Sequence, residues 1–474
     1  MNTADTRRHL KSLTAAAVVL LLAGCASLSA DGGFNTVGQL TQERTGQKAG
    51  WQRHEADADA VKGRVGELLS QPLTADSAVE LALLNNKGLQ AGFQELGIAE
   101  TELVRAGRLR NPSFAFGRMS GNGGVEIERS IVFDVLGLLT LPIAKEVEQR
   151  RFEQAQLRAA YEAVGVAADT RRAWFSAVAA QELLNYFGQV KLAADASNEL
   201  AKRMVSAGNF PKLTQMREQV FYAEATAQLA RAQQQAVAAR EGLIRMLGFS
   251  GDPSAIKLPE RLPELPKQAL MPANAQQTAM DKRLDVMMAR RSTDAVARSL
   301  GLTKTTRMLN VLHLGYKNKS ASGAEREDGY EIEFELPLFD FGTTRVARAE
   351  ATYMQAVNRT AEVAVNAQSE VRESYAAYRT AFDLARHYRD EVVPLRKRIS
   401  EENLMRYNGM LIGPFELLAD AREQVGSISA YVEALRDYWV ADTNLQTAIY
   451  GRSPGSISQA KATSATTPAA GGGH

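Results

Sequence analysis

The chain has 474 residues, with 56 Lys and Arg against 54 Asp and Glu and a formal net charge of +2, so no excess of either sign points to a nucleic-acid surface. A single cysteine excludes an intrachain disulfide framework, and the histidines (His9, His54, His313, His387, His474) are too scattered for a His-based metal site. No P-loop, H-E-x-x-H or G-x-G-x-x-G motif occurs, so the chain does not read as an enzyme and implies no cofactor.

At the start, Arg7, Arg8, His9 and Lys11 precede an uncharged apolar run from Leu13 to Leu22, closed by Leu22-Ala23-Gly24-Cys25. The run is shorter than the roughly 20 residues a spanning helix needs. Basic, apolar, small and Cys in that order read as a bacterial lipoprotein signal peptide over residues 1–24. Cleavage would leave Cys25 as the first mature residue, acylated on its thiol, with palmitate among the expected lipids. Ala26, which is not an aspartate, favours sorting to the outer membrane. Residues 25–70 show weak periodicity and read as a lipidated tether.

Ser77 to about Arg108 is expected as a helix, capped by Thr74 or Asp76 and stopped by Asn111-Pro112. Ser113 to Met119 and Val125 to Val135 alternate as two strands around the turn Gly121-Asn122-Gly123-Gly124. No proline lies between Pro142 and Pro211, or between Pro337 and Pro394, and these Ala-, Glu-, Gln-, Arg- and Leu-rich stretches predict very long helices. From Ile143 to Ala207 the chain would run about 100 Å at 1.5 Å per residue. Seams of three-and-four spacing (Leu157, Tyr161, Val164, Ala168, Phe175, Val178; then Val371, Tyr375, Tyr378, Phe382, Ala385; then Val425, Ile428, Val432, Leu435, Trp439) predict coiled-coil packing. Asn310 to Asn318 and Tyr330 to Leu338 form a second pair of strands.

The body repeats. Arg217-Glu218-Gln219-Val220 recurs as Arg422-Glu423-Gln424-Val425, and Phe133-Asp134-Val135-Leu136-Gly137 is echoed by Phe339-Asp340-Phe341-Gly342. Leu243 to Gly248 corresponds to Leu445 to Gly451. Offsets near ~200 residues are too long for a solenoid and fit a duplicated half-molecule. The expected division is a first repeat over 71–255, a linker over 256–274 and a second repeat over 275–451. The tail, 452–474, is low-complexity and expected to be disordered.

Tyr330-Glu331-Ile332-Glu333-Phe334-Glu335-Leu336 alternates without a fault, placing Glu331, Glu333 and Glu335 opposite the apolar residues. Glu126 and Glu128 share that parity, opposite Val125, Ile127, Ile131 and Phe133. Phe114, Phe116, Leu312, Leu314 and Tyr316 give the other strands an apolar face too. With no apolar run of about 20 residues after Cys25, a membrane crossing requires a closed β-barrel. Four strands leave two open edges, which oligomerisation would pair. Arg129 falls on the apolar parity, where a mid-membrane arginine costs about 2–4 kcal/mol, so a bulge or a position near the headgroups is expected.

In chain order, the body carries Leu73-Thr74, Ala78-Val79, Ala82-Leu83 and Asn86, then Arg110-Asn111-Pro112-Ser113, Leu336-Pro337-Leu338-Phe339 before Gly342, and Tyr438-Trp439. With these markers the stretch from Leu73 to Gly451 resembles the TolC-like outer-membrane efflux family, and the lipidated N-terminus resembles its branch serving multidrug and heavy-metal pumps. The resemblance implies a mainly α fold with a small β part: long coiled-coil helices forming a periplasmic α-barrel, and four strands per protomer completing a twelve-stranded barrel in a homotrimer. It places the protein in the outer membrane of a Gram-negative bacterium, as a passive export duct for drugs or metal cations. An inner-membrane efflux pump and a periplasmic adaptor (membrane fusion protein) would dock at the helical tips. By that resemblance the tips are Gly208, Asn209 and Phe210 on one side and Gly409, Gly413 and Pro414 on the other. The second tip is expected to be about one helical turn longer, Gly409 and Gly413 both competing to match Gly208. Acidic residues after the second tip would line the closed entrance, Glu416 or Asp420 depending on the glycine matched. The glutamates Glu126, Glu128, Glu331, Glu333 and Glu335 would form an acidic bore favouring cations. The alternative is a periplasmic adaptor or structural coiled-coil lipoprotein without a channel, which would not need paired strands in two copies.

Overall fold

The computed structural model describes residues 27–121, 124–208, 211–270, 273–308, 311–335 and 339–454. The signal peptide over 1–24, Cys25, Asn209, Phe210, the expected strand end at 336–338 and nearly all of the tail lie outside the described residues.

The first half runs α1 (Phe34–Thr45), α2 (Glu55–Leu69), α3 (Ala75–Asn85), α4 (Lys87–Ala106), β1 (Ser113–Gly121), β2 (Gly124–Asp134), α5 (Val135–Ser206) and α6 (Lys212–Leu247). From α3 onward the second half repeats that order: α7 (Ala275–Lys282), α8 (Leu284–Thr305), β3 (Leu312–Ala321), β4 (Glu327–Phe334), α9 (Thr343–His387), α10 (Val393–Asn408) and α11 (Pro414–Tyr450). A π-helical turn, Tyr388–Val392, joins α9 to α10. Pro394 explains it, because a proline has no N–H to give the helical ladder and its ring needs the widened turn ahead of it. No helix among the described residues is long and apolar enough to cross a membrane.

Three local expectations differ from what is found. The stretch over 25–70 carries α1 and α2, and α1 buries Val37 and Thr41. Its apolar residues are too few to give a readable period. The helix expected from Ser77 to Arg108 breaks at Asn86, whose backbone is extended (φ −62°, ψ 115°). Asn86 Oδ1 accepts the Leu89 N–H at 3.0 Å, so this side chain starts α4 as its cap. Thr74, as expected, caps α3 by accepting from the Ser77 N–H at 3.1 Å. Finally, α5 begins at Val135, directly after β2, and passes through Pro142.

The described chain separates into two units of interleaved segments. One comprises residues up to Thr36, Phe93–Ala159 and Met287–Val363, and holds the sheet. Its strands are antiparallel in the order β1-β2-β3-β4, with Phe114 opposite Ile131, Ile131 opposite Tyr316, and Tyr316 opposite Tyr330. β1 and β4 each keep one edge without a strand partner among the described residues.

The other unit comprises Val37–Gly92, Ala160–Val286 and Ala364 onward. Its core is built from the predicted seams, with Phe175, Val178, Val371, Tyr378, Phe382, Val432 and Leu435 buried. Phe175 stacks on Trp439 at 5.3 Å between ring centroids, and Tyr438 meets Phe382 edge-on at 5.7 Å. Trp174 is buried with its Nε1–H donating to the Leu73 carbonyl at 2.9 Å, which ties the start of α3 to α5.

Candidate functional site

The period of two along each strand sorts the sheet into two chemically distinct faces. On one face lie Phe114 and Phe116, Ile131 and Phe133, Leu314 and Tyr316, Tyr330, Ile332 and Phe334, all exposed. At about 3.4 Å per residue, the rows from Phe334 back to Asp328 span about 20 Å along the strand. A contiguous apolar face of this size, uncovered in its own unit, is what a lipid-facing sheet presents.

Arg129 sits on that face in unbroken register, opposite Phe116 on one side and Asn318 on the other, so the expected bulge is absent. A row of polar side chains resolves it instead. Arg129 Nη1 donates to Asn318 Oδ1 at 3.0 Å, and Asn318 Nδ2 donates to Asp328 Oδ1 at 2.5 Å. Tyr316 donates its hydroxyl to the same aspartate oxygen at 2.7 Å. The guanidinium charge is therefore answered across three strands. This row stands on the hairpin side of the apolar rows, toward Arg118 and Ser320.

The opposite face carries Glu126, Glu128, Glu331 and Glu333, as the alternation predicts. Glu335 lies one residue beyond the end of β4. The face is less uniformly acidic than expected, because β3 places lysines among the glutamates. Lys319 pairs with Glu126 at 2.6 Å, and Lys317 pairs with Glu331 at 2.8 Å and reaches Glu128 at 3.9 Å. His313 Nδ1 lies 3.1 Å from Glu333. Lys317 and Lys319 alternate along β3 and so share the face of the glutamates.

In the second unit, the two helical hairpins turn through loops of equal length, 207–211 and 409–413. This corrects the expected longer second tip. The left-handed residue is Gly208 (φ 77°) in the first and Met410 (φ 57°) in the second. Gly409 caps α10 at φ −79°, and Gly413 caps α11 in an extended conformation. Met410 therefore matches Gly208, and Gly413 matches Pro211. The second tip puts methionine in the left-handed position, and Met410 is 93 % exposed and Leu411 77 %.

That register pairs Glu218 with Asp420, and both are buried. The repeated Arg-Glu-Gln-Val strings are displaced from it by three residues and so do not occupy equivalent places. Glu218 accepts from the Ser197 hydroxyl at 2.6 Å and from Arg422 Nη2 at 2.5 Å, linking α5, α6 and α11. The Arg422 guanidinium also lies 4.3 Å from the Phe221 ring. Asp420 keeps Oδ2 without a hydrogen-bond partner among the described residues, while Glu416 is exposed. The Ser197–Glu218–Arg422 bridge escaped the sequence reading, in which Glu218 and Arg422 served only as markers of the repeat.

One further string, Gly451-Arg452-Ser453-Pro454-Gly455, matches the G-x-S-x-G pattern. It follows a helix instead of turning from a strand into one, and Ser453 donates its hydroxyl to Glu370 at 2.7 Å. Ser453 thus serves an interhelical tie and does not form a nucleophile elbow. Among the described residues no cluster of His, Cys, Asp and Glu has metal-binding geometry.

A four-stranded antiparallel sheet carried on long helix pairs, in two consecutive copies of one element order, defines the TolC-like fold. A membrane protein from Pseudomonas aeruginosa is 19% identical, with a TM-score of 0.68 over 79% of this chain and 92% of that one. The Campylobacter jejuni CmeC outer membrane channel is 14% identical, with a TM-score of 0.65 over 85% and 89%. The Neisseria gonorrhoeae MtrE outer membrane channel, in its open state, is 14% identical, with a TM-score of 0.66 over 82% and 89%. These similarities are to the fold. No protein-family model and no curated protein matches the sequence.

Proposed function

We propose that this chain is the outer-membrane channel of a tripartite efflux system, a homotrimeric duct for drugs or metal cations delivered by an inner-membrane pump through a periplasmic adaptor. The observation that carries the reading is the sheet: one uncovered apolar face, one charged face and two unpaired edges. Three copies pairing edge to edge would close a twelve-stranded barrel and satisfy every strand. Similarity to solved outer-membrane channels supports the same reading. The two repeats, 71–255 and 275–451, would each supply half of the strands and helices of a protomer.

In this reading the barrel lumen is lined by Glu126, Glu128, Glu331 and Glu333, with Glu335 at its rim and Lys317 and Lys319 tempering the field. Glutamates still outnumber the lysines, so a mild cation preference is expected. Glu416 and Asp420 would ring the closed periplasmic entrance. The tips, with Gly208, Asn209, Phe210, Gly409, Gly413 and Pro414, would receive the adaptor, and the exposed Met410 and Leu411 add apolar side chains to that surface. Acyl lipid on Cys25 would tether the mature N-terminus, while the barrel supplies the main hold on the bilayer.

Planar-bilayer recording tests the reading. The purified protein should migrate as a heat-resistant trimer and conduct ions with a cation-biased reversal potential, and Glu416→Ala with Asp420→Ala should raise the conductance. A delipidated Cys25→Ser protein that is a soluble monomer without conductance would favour a periplasmic coiled-coil lipoprotein instead.

A further inference from the structure

The unit that holds the sheet also contains a basic groove of about 490 Å³ between α5, α8 and α9. Arg151, Arg345 and Arg348 line it, and no carboxylate does. Arg345 Nη2 donates to the carbonyls of Thr306 (3.1 Å) and Arg307 (3.0 Å), which fixes it over the end of α8. Arg151 pairs with Glu148 at 2.5 Å on its own helix. The Arg348 carbonyl accepts from the Thr352 hydroxyl at 2.8 Å, whereas its guanidinium has no hydrogen bond or ion pair among the described residues. Asp340 caps α9, accepting from the Thr343 N–H at 3.0 Å and from the Thr344 hydroxyl, and the first turn of α9 holds no acid. Arg345 is thus answered by the carbonyls that follow α8 and the helix end by Asp340, which leaves Arg348 as the guanidinium of the groove without an anion among the described residues.

The groove has more than charge. Ser299 and Thr303 bring hydroxyls into it, and Val296 and Leu300 bring apolar surface. Its position is also specific. Arg345 is the third residue of α9 and Thr306 immediately follows α8, so this end of the groove adjoins the level at which strands give way to helices.

We propose that the groove binds the phosphate of an anionic phospholipid headgroup of the phosphatidylglycerol class, drawn from the leaflet at the helical end of the barrel. This rests on the reading of the strands as membrane-spanning. Guanidinium groups suit a phosphodiester because their planar N–H pairs match two oxygens at once. Arg348 and Arg345 take the phosphate, the hydroxyls take the glycerol, and the apolar wall meets the first methylenes of the chains. Inorganic phosphate would leave that wall unused, which is why the lipid is the fitting source.

The test uses the full-length protein in dodecylmaltoside, titrated with dioleoylphosphatidylglycerol, dioleoylphosphatidylcholine or inorganic phosphate and read by native mass spectrometry. Phosphatidylglycerol should be retained, phosphatidylcholine should bind weakly, and inorganic phosphate should not compete. Arg348→Gln removes no side-chain hydrogen bond or ion pair among the described residues and should weaken phosphatidylglycerol binding about tenfold, while Arg348→Lys keeps most of it. Undiminished binding to Arg348→Gln overturns the proposal, and so does full competition by inorganic phosphate, which would mark a free-anion site. A lower dissociation temperature for lipid-free Arg348→Gln trimers also overturns it, because the groove would then hold a neighbouring copy's carboxylate. Conductance separates the two readings: a conducting protein that ignores phosphatidylglycerol loses only the lipid site, whereas retained lipid without conductance removes only the channel.

Discussion

Asn86 and Arg283 stand at the same place in the two halves of the molecule and solve one problem with different chemistry. Each follows a short helix in an extended conformation and is followed at once by the next helix. Each also reaches the C-terminal carbonyls of a long helix in its own half. Asn86 Nδ2 donates to Met246 at 2.8 Å, and Arg283 Nη1 donates to Ala448 at 3.3 Å. The amide needs no counterion. The guanidinium is 1 % exposed and is held by Asp285 at 2.8 Å and by Glu370. Duplication has thus kept the geometry of the joint and not its electrostatics, and the second joint holds a buried ion cluster where the first holds an amide.

Removing the guanidinium gives the largest expected effect. Arg283→Met would leave Asp285 and Glu370 facing a site with no cation, at a cost of about 3–5 kcal/mol in denaturant unfolding. The loss should depend on pH. Burial raises the pKa of Asp285, with Arg283 working against that rise. Without Arg283 the folded pKa goes higher, so the folded state binds protons that the unfolded chain releases. Stability contributed by such a raised acid falls as pH rises above its unfolded value, so the variant's deficit should be largest at neutral pH and shrink toward pH 4. A deficit independent of pH would mean that Arg283 acts by packing alone. Asn86→Ala, the matching change in the first half, should cost about 1–2 kcal/mol through its lost cap, without that pH dependence.

The tips extend the contrast. Glu218 is buried and bonded, whereas its counterpart Asp420 is buried with one oxygen unpartnered among the described residues. Glu218→Ala strands a guanidinium that is 28% exposed, so about 2 kcal/mol is expected, below the full cost of breaking a buried pair. Asp420→Ala removes a buried carboxylate with one oxygen unpartnered among the described residues and should be neutral or stabilising by thermal melting. An equal loss at both sites would give Asp420 a partner in the assembled trimer.

Much of this molecule was legible because its periods are long and clean. The seams that bury Phe175, Tyr378, Phe382 and Leu435 repeat at coiled-coil spacing, and Glu331 and Glu333 alternate with Tyr330, Ile332 and Phe334. The division of the sheet into two faces follows from that alternation alone. What stayed hidden depends on contacts between segments far apart in the chain. The break at Asn86 has a local mark, an asparagine able to cap α4, but the tie of its amide to the Met246 carbonyl lies far away in the chain. The neutralisation of Arg129 required the pairing of β2 with β3, which parity within one strand does not supply. The tip register stays open in the sequence for a different reason: matching glycine to glycine assumes that the left-handed position is always filled by the residue it suits best.

That assumption fails at Met410, and the failure suggests the smallest and most discriminating change. A left-handed conformation costs a side-chain-bearing residue roughly 1–2 kcal/mol and costs glycine almost nothing. Met410→Gly should therefore stabilise the isolated protein by about 1 kcal/mol, less whatever glycine adds to the entropy of the unfolded chain. Gly208→Met should destabilise it by a similar amount, and thermal melting of the pair reads both signs. At 93 % exposure the methionine side chain makes little contact within the protomer that could offset its backbone strain. Strain retained at an exposed tip calls for a use of the side chain outside the protomer. If Met410→Gly melts higher and yet restores drug or metal resistance poorly in cells, the methionine serves adaptor docking. If it melts higher and exports normally, the left-handed methionine has no role at the tip, and the equivalence with Gly208 is geometric alone.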